Sequence, residues 1–403
     1  MRTYMEQIPE ILGPVMTGQR IMGPGGGEGQ QLAGIKSELF FNDPVTNVEV
    51  CLLAQEYLGV MGIGATWDVY NFEARALGQS VKTAEYGLPD IDCTDPLCKG
   101  EDDLDKIKWP TDNPLDAGRY PLFVEANVLI NKYTGMPVSF SHCLVSSFSL
   151  AVELFGFAGL MKIIKKQPDL AHEIMRRITF DIHVPLVKAF GEKYPGITLQ
   201  PCNAWEVLPN ISPSIQRDYA WAYYDKLIEA TADDDVNITY GCAWGESYVD
   251  DPVAYLIEKS KYNGSVLFLD QEPNMKRETY VEAVNEADLT LSVILTHPFY
   301  DLSPTELIEY LRGIAKDMRC KVEKFTWAGA APFGSNLETM LAGIAAGKAF
   351  SINPCPTPEE YDKIEVAVPE ITQSFGDFVR AKAAENPDGY TFSWMDQAKF
   401  YGE

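Results

Sequence analysis

The sequence predicts an α/β protein, a single (β/α)8 TIM barrel over residues 1–403 with an N-terminal extension or lid at residues 1–35. Three observations carry this. The second half alternates short β-rich runs with helix-period stretches every 30 to 40 residues or so, the rhythm of right-handed βαβ crossovers in a parallel sheet. The 403 residues contain no linker or internal repeat that would divide them, and α/β barrels reach that length as single units. No GxGxxG follows an expected strand, which weakens the open doubly wound sheet as a rival.

The elements follow in order. VMGIGATWDV (60–69), LFVEANVLI (122–130) and PVSFSHCLV (137–145) read as strands, the last feeding a helix over 148–165. ITLQPC (197–202) precedes a helix at 211–231, where Ser212 is the expected cap and Pro213 its first position. VNITYGC (236–242) precedes a helix at 252–261, and SVLFLD (265–270) one at 276–286. LTLSVILTH (289–297) precedes 304–319, capped by Ser303, and VEKFTW (322–327) precedes 336–347. Eight such units closing on themselves make the barrel.

Composition narrows the function. Asp and Glu number 58 against 33 Lys and Arg, a net charge of −25, and no basic cluster interrupts the acidic background. Nucleic acid and an anionic membrane surface both need a cationic face, so neither is an expected partner. The N-terminus carries Arg2, Glu6 and Glu10 and no apolar core of a signal peptide. The apolar stretch from Leu144 to Met161 includes Ser146, Ser147, Ser149 and Glu153, so it reads as a buried helix rather than a membrane span. The eight cysteines are too few for a disulfide scaffold and are expected as thiols in a soluble, cytoplasmic protein. GPGGGEGQ (23–30) lacks the Lys-Ser/Thr of a phosphate loop and reads as a surface or lid loop. KGEDDLDK (99–106) and ADDDV (232–236) read as solvated charge runs.

In a barrel the chemistry belongs at the C-terminal ends of the strands. Cys202, Cys242, Asp270 and His297 end four consecutive expected strands. Each alone reads as a core or structural residue; four together, at one relative height, read as a site. Cys and His suit a borderline-soft ion such as zinc, and Cys202, Cys242 and Asp270 would leave its fourth position open, the catalytic arrangement. Tyr240, two residues before Cys242, shares its strand face. Trp205, Trp244 and Trp327 follow or end strands, where aromatics line a pocket for a flat apolar substrate or simply pack. Glu206 and Glu246, each four residues beyond a cysteine, read either as partners of the ligands or as loop acids. His142 and Cys143 end another strand, and alternation lets only one of them face inward.

The chain resembles the uroporphyrinogen decarboxylase superfamily over roughly residues 35–350. LGVMGIGATWDVYNFEARALG (58–78) is similar to the family's early strand with its Asp and following Glu-Ala. SSFSLAVELFG (146–156) and ISP (211–213) are similar to two of its helix starts, and NLETMLAGIAAG (336–347) to its final helix. The resemblance implies a TIM barrel and is greatest to the corrinoid-dependent methyltransferase branch. True decarboxylases carry an Arg-rich N-terminal segment, whereas TGQRIMGPGGGEGQ holds the single Arg20. Thiol-alkylating zinc enzymes use His-x-Cys and a later Gly-Cys; here Tyr240-Gly241-Cys242 and Gly329-Ala330 retain only Cys242. The intervals 242 − 202 = 40 and 270 − 242 = 28 are similar to a two-Cys, one-Asp zinc set of ether-cleaving methyltransferases. The resemblance thus implies methyl transfer from a methoxyarene to the Co(I) corrinoid of a separate carrier protein, as one component of an O-demethylase system. His297 would orient a ligand or donate to the leaving oxygen, and Tyr240 and the tryptophans would hold the ring. The alternatives are a methylthiol or methylamine donor, a non-catalytic barrel that binds the corrinoid or its carrier, and a uroporphyrinogen decarboxylase.

Overall fold

Parallel strands and their crossover helices organise the computed structural model, which describes residue 30 and residues 32–58, 71–134, 141–239, 245–261, 264–268, 275–293, 302–327 and 337–385. A two-residue antiparallel pair comes first, β1 (Val81–Lys82) with β2 (Asp90–Ile91). The parallel strands are β3 (Ser141–Val145), β4 (Ile197–Cys202), β5 (Val236–Ile238), β6 (Ser265–Phe268), β7 (Thr290–Val293) and β8 (Phe325–Trp327). They form two sheets of sequential neighbours, β3-β4-β5 and β6-β7-β8. Among the described residues no ladder joins one sheet to the other, so the architecture in view is α/β with sequential parallel βα units.

Every expected element from residue 197 to 347 is found, with the described strands shorter than the β-rich runs. The helix after β4 starts as expected: Ser212 Oγ accepts from Ile215 N and Pro213 occupies the first position. It runs to Ala230 through a π-helical turn at Gln216–Trp221. Ser303 caps the helix Pro304–Asp317 in a reciprocal capping box with Glu306.

The first half departs from expectation twice. Residues 122–130 are not a strand but part of the helix Tyr120–Thr134. The segment is rich in apolar residues, but the positions that are buried are Phe123, Ala126, Asn127, Leu129 and Ile130, while Glu125 and Val128 face solvent. That is helical spacing, and it packs against the helix Pro44–Leu58. The single helix expected over 148–165 is two, Ser147–Phe155 and Phe157–Lys166, bent by 107° at Gly156, whose φ is +71°. A left-handed residue ends one helix and starts the next, and glycine takes that conformation without steric cost. No single described helix is long and apolar enough to cross a membrane. The strand expected at 60–69 lies outside the described residues.

The two faces of each sheet differ in chemistry. Ile197 and Leu199 of β4, Val266 and Phe268 of β6, and Leu291 and Val293 of β7 are buried against the helices. The alternate positions of β4, β5, β7 and β8 are polar, while β3 and β6 place Val145 and Leu267 on the same face: Asn237 Nδ2 donates to Thr198 Oγ1 at 3.3 Å, and Ser292 Oγ lies 2.9 Å from Thr326 Oγ1. A polar face turned away from the helices is where a ligand can be met. Of the extension expected at 1–35, the described end is core: Leu32, Ala33 and Ile35 are buried, and Gln30 Nε2 donates to Ser37 Oγ at 2.9 Å.

Candidate functional site

The site is best seen at the C-terminal ends of β3 and β4. In the parallel register Cys143 stands opposite Gln200 and Val145 opposite Cys202, so Cys143 and Cys202 share the polar face. The main-chain N–H of Ser146 donates to the Cys202 carbonyl at 2.8 Å and ties the two strand ends together. The two thiols meet: a hydrogen bond from Cys202 holds the Cys143 thiol below its ordinary value, against burial and the negative charge of Glu73.

Alternation puts His142 on the opposite face. It is buried among the rings of Phe123, Phe190, Phe72 and Tyr120, with centroids 4.5, 5.0, 5.4 and 5.7 Å away. Burial lowers its pKa to about 3, so it is a neutral core residue at physiological pH. Of the two candidates ending this strand, the cysteine therefore belongs to the site.

A buried polar layer supports the strand ends from behind. Glu73, on the helix Phe72–Ala76, accepts from Val145 N at 3.1 Å. Ser146 caps the helix Ser147–Phe155 and its hydroxyl donates to Glu206. The Glu206 carbonyl accepts from Gln216 Nε2 at 2.7 Å, and Gln216 Oε1 accepts from Tyr255 at 2.9 Å. Ser147 Oγ lies 3.0 Å from Thr179 Oγ1 and 3.1 Å from His183 Nδ1. Two π-helical turns, Ile178–His183 and Gln216–Trp221, supply Thr179, His183 and Gln216 to this layer. Such turns re-aim side chains out of helical register and are frequent near functional sites. Ser146, Ser147, His183, Glu206 and Tyr224 line a cavity of about 10 Å³ there, room for about one water molecule.

The two loop acids resolve as supporting residues. Glu206 is buried and held by Ser146. Glu246 is buried in an ion pair with Lys259, and its other oxygen accepts from Gly245 N at 3.1 Å.

The remaining expected residues fall as follows. Trp205 follows β4 and stacks on Phe157 at 5.9 Å, half-buried. Trp327 stands opposite Val293 on the helix-facing side of β8 and packs edge-on to Phe325 at 4.9 Å, so it serves the core. Tyr240, Cys242, Trp244, Asp270 and His297 lie outside the described residues. Among the described residues no three ligating side chains gather, so the described part of the site is the Cys143–Cys202 pair. Cys143 is the residue that sequence reasoning left undecided; its signal was the alternation itself, which needed the placement of its neighbour to be read.

No curated protein matches the chain. Its fold is similar to that of a solved methyltransferase from Methanosarcina mazei, with a TM-score of 0.63 and 16% identity, over 87% of this chain and all of that one. The family model for uroporphyrinogen decarboxylase (URO-D), whose fold is a TIM barrel, matches residues 15–284. Parallel βα units with a polar pair of thiols at their strand ends, together with a match over two thirds of its length, place this chain in the uroporphyrinogen decarboxylase family.

Proposed function

We propose that this chain is a methyltransferase of the family, moving a methyl group from a phenyl methyl ether to the Co(I) corrinoid of a separate carrier protein within an O-demethylase system. The proposal includes closure of the two parallel sheets into one barrel and a zinc ion held by Cys202, Cys242 and Asp270. The observation that carries it is the thiol that β4 presents on the polar face at its C-terminal end, Cys202, with Cys143 of the neighbouring strand as a second sulphur beside it. A thiol so placed is a donor suited to a borderline-soft ion, and Cys143 stands next to the proposed ligand set rather than in it. The fold likeness to a methyltransferase supports the reaction class.

When bound, zinc would supply Lewis acidity at the ether oxygen, whose departure as phenolate is otherwise slow. The chain's own residues do the rest. Cys202 presents its sulphur from a strand end tied to β3 by the Ser146–Cys202 bond, and the buried Glu73 and Glu206 hold the neighbouring end of β3. Tyr240, Trp205 and Trp244 hold the ring, Trp327 being committed to the core. His297 orients a ligand or donates a proton to the leaving oxygen. The carrier would dock over the strand ends and supply there, as Co(I), the nucleophile that accepts the methyl group, while the ether oxygen keeps the electron pair of the broken bond and leaves as phenolate.

The test is metal analysis beside turnover. Wild type is expected to hold about one zinc per chain and to demethylate a methoxyarene with a Co(I) carrier, and Cys202→Ala and Cys242→Ala to lose both. Full zinc in both variants would sink the ligand assignment. Turnover of a methylthiol but not of any methoxyarene would move the donor class while leaving the site in place. Decarboxylation of uroporphyrinogen by a zinc-free wild type would return the chain to the reaction for which its family is named.

A further inference from the structure

A second pair of thiols meets far from β3 and β4 in the sequence, at the C-terminal end of the helix Pro304–Asp317. That helix passes through Met318 into a tight turn, Arg319–Lys321. Arg319 is buried and gathers the following chain onto the turn. Its guanidinium donates to the carbonyls of Phe350 and Ile352, the latter at 2.6 Å, and to Tyr361 Oη at 2.7 Å. Arg312 donates to the carbonyls of Tyr361 and Ile364, and Lys316 pairs with Asp362 at 2.8 Å. Residues 350–364 are thereby strapped along one helix.

The strap brings Cys355 to Cys320. Both thiols donate to the same carbonyl, that of Pro356, Cys320 at 3.3 Å and Cys355 at 3.6 Å. They also hydrogen-bond each other, and Cys355 Sγ lies 3.6 Å from Tyr361 Oη. The two differ in access: Cys355 is exposed and Cys320 is half-buried beneath it. An accessible thiol beside a sheltered one is the arrangement in which the first meets an oxidant and the second resolves the product.

We propose that Cys355 and Cys320 form a redox-modification site, oxidised by low-molecular-mass disulfides of the glutathione class to an intramolecular disulfide. The Cys355 thiolate attacks one sulphur of RSSR, forming a mixed disulfide and expelling RS⁻. The Cys320 thiolate then attacks the Cys355 sulphur, closing the Cys320–Cys355 bond and expelling the second RS⁻. Two protein thiols lose two protons and two electrons, and RSSR becomes two RSH. The bond converts a strap held by Arg312, Lys316 and Arg319 into a covalent one, and excess thiol reverses it. Burial pushes the Cys320 thiol up to about 11, which leaves the first attack to the exposed Cys355. The site is independent of the metal and substrate proposed above.

The experiment treats the reduced full-length protein with oxidised glutathione, quenches in acid, and alkylates under denaturing conditions. Free thiols should fall from eight to six (8 − 2), with a cross-linked Cys320–Cys355 peptide and no retained glutathione. Cys320→Ser should instead keep one glutathione on Cys355. Eight free thiols in wild type, a lasting glutathione adduct on Cys355 in wild type as in the variant, or a disulfide mapping to Cys143–Cys202 would each overturn the proposal.

Discussion

His142 shows at the scale of one residue how much a one-position shift along a strand decides. Next to it in sequence, Cys143 faces the polar side and meets Cys202, while His142 is caged by aromatic rings. Its pKa of about 3, and the value of about 4 for the equally buried His183, lie below the ordinary 6.5 because burial disfavours the charged ring. The unfolded chain therefore binds more protons than the folded one between these values and 6.5. Each histidine's contribution is complete above about pH 6.5 and is lost as pH falls toward the folded value, by about 2 kcal/mol each at pH 5. Urea unfolding at pH 8 and pH 5 should show that loss, and His142→Phe should remove one histidine's share of the slope. The Glu246–Lys259 pair is the second case. Lys259→Met leaves a buried carboxylate without its cation, at an expected cost of about 3–5 kcal/mol in urea unfolding. Adding Glu246→Gln should recover most of it, since the charge that was stranded is then gone.

Glycines punctuate the elements in two different ways. Gly245 has φ +109°, and a Cβ there would stand 2.4 Å from Leu208 Cβ and 2.6 Å from its carbonyl oxygen. Gly264, with φ +63°, has open space around the same position. Gly264→Ala should cost only the left-handed strain, about 1–2 kcal/mol. Gly245→Ala adds backbone overlap and should cost about 3 kcal/mol or more. Differential scanning calorimetry of the two variants orders them, and equal losses would mean that the Leu208 loop yields freely. The caps at Ser212 and Ser303 were legible because their chemistry is local: a hydroxyl followed at once by a proline. The helix at 120–134 was not, because a short segment rich in apolar residues fits a strand or a helix face until its partner helix is known.

Across the whole molecule the stability rests on three apolar clusters between the strands and their helices rather than on the site. The site's thiols sit on the polar face, so removing one deletes little buried apolar surface. Cys202→Ala should therefore abolish zinc binding while lowering Tm by no more than about 2–4 °C, the shift that roughly 1 kcal/mol produces in a chain of this size or smaller. A collapse of Tm with metal loss would make the ion a structural one. The net charge of −25 acts at the same scale: a carrier with a cationic docking face should associate more slowly as ionic strength rises, and one with an acidic face faster, measured by stopped flow.

The order of residues along the chain already specified the alternation of strands and helices from residue 197 onward, the helix caps, the placement of Cys202 at a strand end and the acidic charge balance. These depend on periodicity, on residue chemistry at short range and on composition, all of which are written along the chain. Packing in three dimensions was needed to make residues 122–130 helical, to bend the segment 147–166 at a glycine, and to commit Glu206 and Glu246 to Ser146 and Lys259. It alone brought Cys143 to Cys202 and Cys355 to Cys320, because contacts between residues 59 (202 − 143) and 35 (355 − 320) positions apart are made by strand register and by a strap of side-chain bonds, neither of which leaves a local mark in sequence.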